Sequence, residues 1–110
     1  MAAWTVSTLN DTVTQELERL PASMRAKFIK ISELIEKFGP QKVGMPHTRS
    51  LGDKFWEIRA SGKEGISRGI YVAVKDRQVI VLRVFVKKTQ KTPQNEIGIA
   101  KKRAKEAGLI

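Results

Sequence analysis

Basic residues recur near the ends of the strands predicted in the second half of the chain. They are Lys54, Arg59, Arg68, Lys87 and Lys88. Antiparallel pairing can bring such residues together although they are far apart in the sequence. Arginine suits phosphate chemistry because its planar fork grips two phosphate oxygens and keeps its charge. Metal-free RNA cleavage also needs groups that take the 2′-hydroxyl proton and protonate the leaving 5′ oxygen, roles open to lysine, histidine or tyrosine, so we add Tyr71 to the candidates.

The single histidine, His47, lies in a stretch with turn-forming residues, close to Arg49. A histidine can act as an acid or a base near neutral pH, although a surface or hydrogen-bonding role is commoner. The same stretch is also suited to gripping an RNA backbone. With one histidine, no cysteine and no clustered carboxylates, the sequence offers no set of metal ligands, and we expect neither a metal nor another cofactor.

The charge of the chain favours a polyanionic partner. Twenty-one Lys and Arg against eleven Asp and Glu give a net charge of +10, which attracts nucleic acid first and acidic proteins second. The carboxyl-terminal segment from Arg83 onward is especially basic and includes Lys91, Lys101, Lys102 and Arg103. A solvated helix face is the plain alternative. Without cysteine, signal peptide or long apolar run, we expect a soluble cytoplasmic protein that does not enter a membrane.

Apolar periodicity predicts the elements. Residues 3–7 form a strand, and Leu9, Val13, Leu17 and Leu20 mark a first helix with Asn10, Asp11 or Thr12 as its N-cap. A second helix begins at Pro21 and ends at Gly39-Pro40. Residues 41–54 are expected to be a surface loop, followed by strands at 55–60, 66–75 and 78–87. Thr92 and Pro93 then begin a last helix as its N-cap and first residue.

This order predicts a single domain over residues 1–110 of the α+β class. Two N-terminal helices pack on one face of an antiparallel sheet, and a third helix ends the chain. The other face of the sheet is expected to be uncovered and available for a functional site. Strand alternation places Arg68 on one face of its strand and Tyr71 on the other. It places Glu57 and Arg59 on the same face of the preceding strand. The pattern alone leaves open which face meets the helices.

Four stretches resemble the RelE/HigB toxin superfamily, in particular its phage-type HigB-like branch. They are residues 55–59 (FWEIR), 67–71 (SRGIY), 84–93 (VFVKKTQKTP) and 96–100 (EIGIA). The resemblance extends over nearly the whole chain. It implies a RelE-like fold and a type II toxin that cuts messenger RNA in the ribosomal A site without metal. It also implies a cognate antitoxin, usually a helix-turn-helix protein, which we expect to dock through an acidic or amphipathic segment.

The resemblance also assigns roles to residues. Arg68 matches the sheet arginine that contacts the scissile phosphate, Lys88 a basic residue after the last strand, and Arg59 a basic position on the first strand of the meander. RelE-type enzymes carry catalytic lysines where this chain has Phe55 and Glu57, and they carry a tyrosine near the carboxyl end that is missing here. Glu57, His47 or Lys54 could replace the base.

The predicted site therefore has two parts. The catalytic candidates are Arg68, Arg59, Lys88, Lys87, His47 and Glu57, and the RNA-binding candidates are Lys54, Arg49, Tyr71, Lys91, Lys101, Lys102 and Arg103. Two alternatives stay open. ParE-like relatives share the fold but inhibit DNA gyrase without chemistry, and a plain nucleic-acid-binding module would explain the charge alone.

Overall fold

The computed structural model describes residues 3–63, 65–88 and 91–110. In chain order the elements are β1 (Thr5–Thr8), α1 (Asp11–Glu18), α2 (Ala22–Phe38), β2 (Thr48–Gly52), β3 (Phe55–Gly62), β4 (Gly65–Val74), β5 (Gln78–Lys87) and α3 (Gln94–Glu106). The predicted α+β class is confirmed. None of the helices in these ranges is long and apolar enough to span a membrane.

The sheet has five strands in the order β1-β5-β4-β3-β2. Strands β3 to β5 pair in an antiparallel manner, as predicted, and β2 pairs with β3 in the same sense. β1 runs parallel to β5, with Thr5 opposite Gln78, so the sheet is mixed and the prediction of a purely antiparallel sheet is wrong. The helices and strands between β1 and β5 supply the long connection that a parallel pair requires.

The predicted surface loop at residues 41–54 contains a strand that the sequence pattern did not reveal. β2 pairs with β3, and Arg49 lies opposite Glu57 in this ladder. Glycine and proline around this strand hide its period, and its pairing with a strong neighbour determines its conformation. Thr48 is buried as a result.

The helix ends agree with the predictions in part. Asn10 caps α1, since its side chain accepts a hydrogen bond from the Val13 N–H at 3.1 Å. Gly39 ends α2 with a φ of 86°, which favours glycine. Pro93 is the residue before α3, with no side-chain cap, so the prediction that Thr92 would cap this helix is wrong.

Helices α1 and α2 cover one face of the sheet. Val13 of α1 and a stripe on α2 pack against Ile58, Tyr71 and Val81, the α2 stripe being Met24, Phe28, Ile31 and Ile35. Gly69 of β4 makes this contact possible, because a Cβ there would lie 2.3 Å from the Phe28 ring. Burial of this apolar surface is the main stabilising contribution on this side.

Helix α3 covers the other face, so the prediction that this face would be free is wrong. Ile97, Ala100 and Ala104 of α3 pack against a second cluster that includes Phe55, Ile70 and Leu82. The two small alanines let the helix approach the sheet closely. What remains for a functional site on this face is the region beside the start of α3, where Glu57, Arg59 and Arg68 lie.

Candidate active site

A buried carboxylate forms the centre of the candidate site. Glu57 lies on β3, on the face covered by α3, and none of its surface is exposed. Strand alternation puts Arg59 on the same face, and its Nη1 donates to Glu57 Oε1 at 3.0 Å. A buried charge is tolerated when it is paired and hydrogen-bonded, and this ion pair meets half of that requirement for Glu57.

The hydroxyl of Thr92 meets the other half. Thr92 Oγ1 donates to Glu57 Oε2 at 2.6 Å, and the residue is 4% exposed. The same oxygen accepts a hydrogen bond from Arg68 Nη1 at 3.4 Å. The four side chains therefore form a continuous line, Arg59–Glu57–Thr92–Arg68, which we call the buried relay.

Two arginines of the buried relay lie directly opposite each other on neighbouring strands, Arg59 on β3 and Arg68 on β4. Like charges at such positions destabilise a sheet unless an opposite charge compensates them, and Glu57 supplies that charge. Burial lowers the pKa of the Arg68 guanidinium, Glu57 raises it, and Arg59 and Arg49 lower it further. An arginine nonetheless stays protonated at neutral pH, so the buried relay holds more positive than negative charge.

A cleft opens directly above Thr92. It has a volume of about 180 Å³ and is lined by Arg49, Ser50, Leu51, Lys91, Thr92, Gln94 and Ile97. Arg49 and Lys91 are exposed at its rim. Gln94 begins α3, so the positive end of this helix dipole also lies at the cleft.

The arrangement is suited to binding a phosphodiester. Exposed cations at the rim can bind phosphate oxygens, and the arginines beneath can stabilise charge that builds up on the phosphorus. Thr92 both lines the cleft and donates to Glu57, so it stands between any bound group and the carboxylate.

Comparison with known families gives a match over most of the chain. The family model described as phage-derived protein Gp49-like (DUF891) matches residues 15–105. The chain belongs to the Gp49-like family. This is a family of RelE-like toxins and is associated with toxin–antitoxin systems, which implies an antitoxin partner for its members. No curated protein matches the chain.

Other basic residues singled out in the sequence of this Gp49-like protein lie at the ends of strands β2 and β5 and do not line the cleft. His47 and Lys54 are exposed at the two ends of β2, and the His47 carbonyl accepts a hydrogen bond from the Arg59 N–H at 2.8 Å. Lys87 and Lys88 are exposed where β5 ends, and Lys87 lies two residues beyond the cross-strand partner of Arg68. Thr89 and Gln90, part of the stretch that resembles HigB-like toxins, lie outside the described residues.

Tyr71 is not brought to the cleft. It lies on the opposite face of the sheet, in the core beneath α1 and α2, with no exposed surface. Burial raises the pKa of its hydroxyl, and that hydroxyl has no hydrogen-bond partner among the described residues. A side chain in this position makes no contact with RNA, and we do not carry it into the proposed site.

The basic residues of α3 also differ from one another in their surroundings. Lys101 pairs with Asp53 at 3.2 Å on the surface. Lys102 is exposed but does not line the cleft, and we do not assign it to RNA. Arg103 donates to both carboxylate oxygens of Glu16, at 3.0 and 2.9 Å, and to the Leu82 carbonyl at 2.8 Å. Arg103 therefore holds α3 to α1 and β5, and we do not assign it to RNA.

One member of the site was missed in the sequence. Thr92 stands before proline at a helix start, a pattern typical of an N-cap, and nothing local indicates that its hydroxyl turns toward β3 instead. Only the pairing that places Glu57 beside it reveals the role, since the two residues are 35 positions apart.

Proposed function

We propose that this Gp49-like protein is the toxin of a type II toxin–antitoxin system, of the HigB-like branch, and cuts messenger RNA on the ribosome. The observation that carries the proposal is the buried relay beneath a basic cleft. Cleavage follows attack by the 2′ oxygen on the neighbouring phosphorus, which forms a 2′,3′-cyclic phosphate and breaks the bond to the 5′ oxygen. The 2′-hydroxyl proton goes to a base, and the leaving 5′ oxygen receives a proton.

The roles follow from exposure. Arg49 and Lys91 reach solvent at the cleft and bind the phosphate, while Arg59 and Arg68 add positive charge from below. Lys54, Lys87 and Lys88 hold the flanking backbone. Such contacts are sequence-independent and supply most of the affinity for a nucleic acid.

Proton transfer is assigned to Glu57 and His47. Glu57 is the proposed base, and it acts through Thr92, because the Thr92 hydroxyl already donates to the carboxylate and lines the cleft. His47, exposed next to the Arg59 strand, is the proposed acid for the leaving oxygen. The chemistry of these groups needs no metal.

Arg49 provides the sharpest test of the site. Arg49→Ala removes an exposed charge at the cleft, so the fold should persist while RNA cleavage falls, on the order of 10²-fold. Lys102→Ala removes one exposed charge on α3 and serves as the matched control, with activity close to that of wild type. The measurement is cleavage of a translated message by purified toxin with ribosomes, with thermal unfolding of each variant recorded alongside.

The two variants separate a local site from a general charge effect. If Arg49→Ala and Lys102→Ala cut equally well, the cleft is not the active site. If both lose activity equally, cleavage depends on the net charge of the protein and not on a local site at the cleft.

A further inference from the structure

The outer edge of β5 is only half covered. β1 pairs with Gln78 to Val81 of β5. The N–H of Leu9, the residue that follows β1, donates to the Val81 carbonyl at 2.9 Å. β5 itself continues to Lys87. Among the residues that the structure describes, no strand lies beside the edge of β5 beyond Val81.

Side chains cover the first part of this remaining edge. Arg103 Nη1 donates to the Leu82 carbonyl at 2.8 Å, and the Val84 N–H donates to Glu16 Oε1 at 3.1 Å. Side chains that hydrogen-bond to the backbone of a sheet edge in this way keep the edge from pairing with other chains. They also show that the backbone groups of Val84 point outward, away from β4.

Two residues further on, the edge is open. Backbone direction alternates along a strand, so the Val86 N–H and C=O point the same way as those of Val84. A cleft of about 260 Å³ runs beside them, lined by Glu16, Arg19, Leu20, Arg83, Val84, Phe85 and Val86. Among the described residues, no strand and no side chain hydrogen-bonds to the outward N–H or C=O of Val86.

The chemistry around this open edge indicates its occupant. Leu20 and Val86 give it an apolar floor, while Arg19 is exposed at its side. In a chain of net charge +10, an incoming strand with acidic residues flanking an apolar one matches this pattern. Strand addition to a free edge combines main-chain hydrogen bonds with side-chain specificity.

We propose that an extended, acidic segment of the antitoxin adds to the sheet at Val86, beyond the capped backbone groups of Leu82 and Val84 and in line with β1. This inference rests on the proposed toxin function, since it places the partner that such a toxin requires. The docking edge lies on the opposite side of β5 from β4 and the buried relay. Binding there leaves the residues of the cleft chemically intact.

Proline at Val86 tests the edge directly. Val86→Pro removes the outward N–H, and proline is tolerated on edge strands whose N–H does not pair within the sheet. Val86→Thr keeps both the N–H and the shape. The probe is the purified product of the gene neighbouring this one. We expect Val86→Pro to weaken its binding to the full-length toxin at least tenfold and Val86→Thr to change it less than twofold, while both variants keep wild-type RNA cleavage.

A second pair of variants covers the case in which Val86→Pro fails to fold. Arg19→Glu reverses a charge beside the docking edge, whereas Lys75→Glu makes the same change near the β4–β5 turn. We expect a loss of affinity from Arg19→Glu that Lys75→Glu does not produce. Hydrogen exchange of the wild-type protein should also show the Val86 amide protected only in the complex.

The outcomes separate this inference from the proposed function. Equal binding by Val86→Pro and Val86→Thr, with an unprotected Val86 amide, overturns the docking edge while RNA cleavage stands. A toxin that does not bind the neighbouring gene product at all overturns both the partner and the docking edge. Self-association that Val86→Pro abolishes, with antitoxin affinity unchanged, would assign the edge to a second copy and likewise contradict the proposal.

Discussion

At the scale of single residues, the candidate site depends on the Glu57 carboxylate, which accepts hydrogen bonds from two side chains. Glu57 receives hydrogen bonds from Arg59 at 3.0 Å and from Thr92 at 2.6 Å. Removing one partner of a buried charge costs far more than the net contribution of the pair, because the other group is left unsatisfied. The residues of the buried relay therefore depend on one another, and they should lose activity together.

Thr92 is the member of the buried relay whose removal is most informative. Thr92→Val keeps the shape of the side chain but removes the hydroxyl, so Glu57 and Arg68 each lose a partner. We expect kcat for RNA cleavage to fall on the order of 10²-fold with KM nearly unchanged, and the free energy of unfolding to fall by about 1–3 kcal/mol. Steady-state kinetics and denaturant unfolding measure the two effects.

Thr92→Ser is the matched control, because it restores the hydroxyl and loses only a methyl group. It should recover most of the lost kcat. If valine and serine reduce kcat by the same factor, the hydroxyl does not act in proton transfer and Thr92 only fills space.

The sequence indicated several of these residues but not their arrangement. Alternation along β3 was enough to predict that Glu57 and Arg59 share a face, and the structure adds Arg68 opposite Arg59 on that face. It did not reveal that Arg68 is fully buried, because burial depends on which face α3 covers. Arg68 acts on the phosphate through charge rather than by exposed contact in the proposed mechanism.

At the scale of elements, an ion network joins α1, β5 and α3. Glu16 of α1 accepts from Arg83 Nη1 at 2.7 Å and from Arg103, and Arg83 Nε also donates to Glu96 Oε1 at 2.8 Å. Each of these side chains is partly shielded from solvent. The network thus fixes α3 on the sheet, and with it the start of the helix at the cleft.

The pKa of Glu16 makes this network sensitive to acid. Burial raises that pKa, but hydrogen bonds from Arg103, Val84 and Arg83 outweigh burial and leave it lowered. A lowered folded-state pKa means that the stabilisation is present above the ordinary pKa of a glutamate, near 4.5, and is lost as the pH falls through the folded value.

Glu16→Gln should remove that dependence. We expect the variant to lose about 1–3 kcal/mol of unfolding free energy at pH 7, and a smaller amount at pH 3, below the ordinary glutamate pKa of 4.5, where the contribution of the ionised carboxylate decreases. Urea unfolding at both pH values measures the difference. A loss of equal size at pH 7 and at pH 3 would show that the charge of Glu16 does not stabilise the fold. Glu33→Gln, on the exposed side of α2, is the control.

The elements themselves were predictable where their period was strong. The α2 stripe and the three-stranded meander follow directly from apolar spacing. β2 was hidden because its pairing with β3, rather than its own residues, makes it a strand. The parallel pairing of β1 was equally hidden, since it joins segments more than 70 residues apart.

At the scale of the whole molecule, charge and topology divide the surface into two regions. The basic cleft lies on the face of the sheet that α3 covers. The open edge of β5 lies on the β1 side of that strand, away from β4. The net charge of +10 favours nucleic acid at the first region and an acidic protein at the second. A toxin that must be both active and restrained needs two such surfaces.

Composition predicted a polyanionic partner but not where it binds. Lys101 and Arg103, which contribute to the basic carboxyl-terminal segment, are tied to Asp53 and Glu16 in the folded protein. Arg49 and Lys91 are separated by 42 positions yet line one cleft. Only the fold distinguishes charges that hold the molecule together from charges that face a ligand.

The most direct test of ribosome-dependent cleavage is primer extension on a highly translated message after induction of the wild-type toxin, with and without a block of translation initiation. The proposed function predicts cuts inside codons that disappear when initiation is blocked. Growth arrest with intact message would contradict it and favour a ParE-like action on gyrase. Cuts that persist under the block would also contradict it, because cleavage would then be independent of the ribosome.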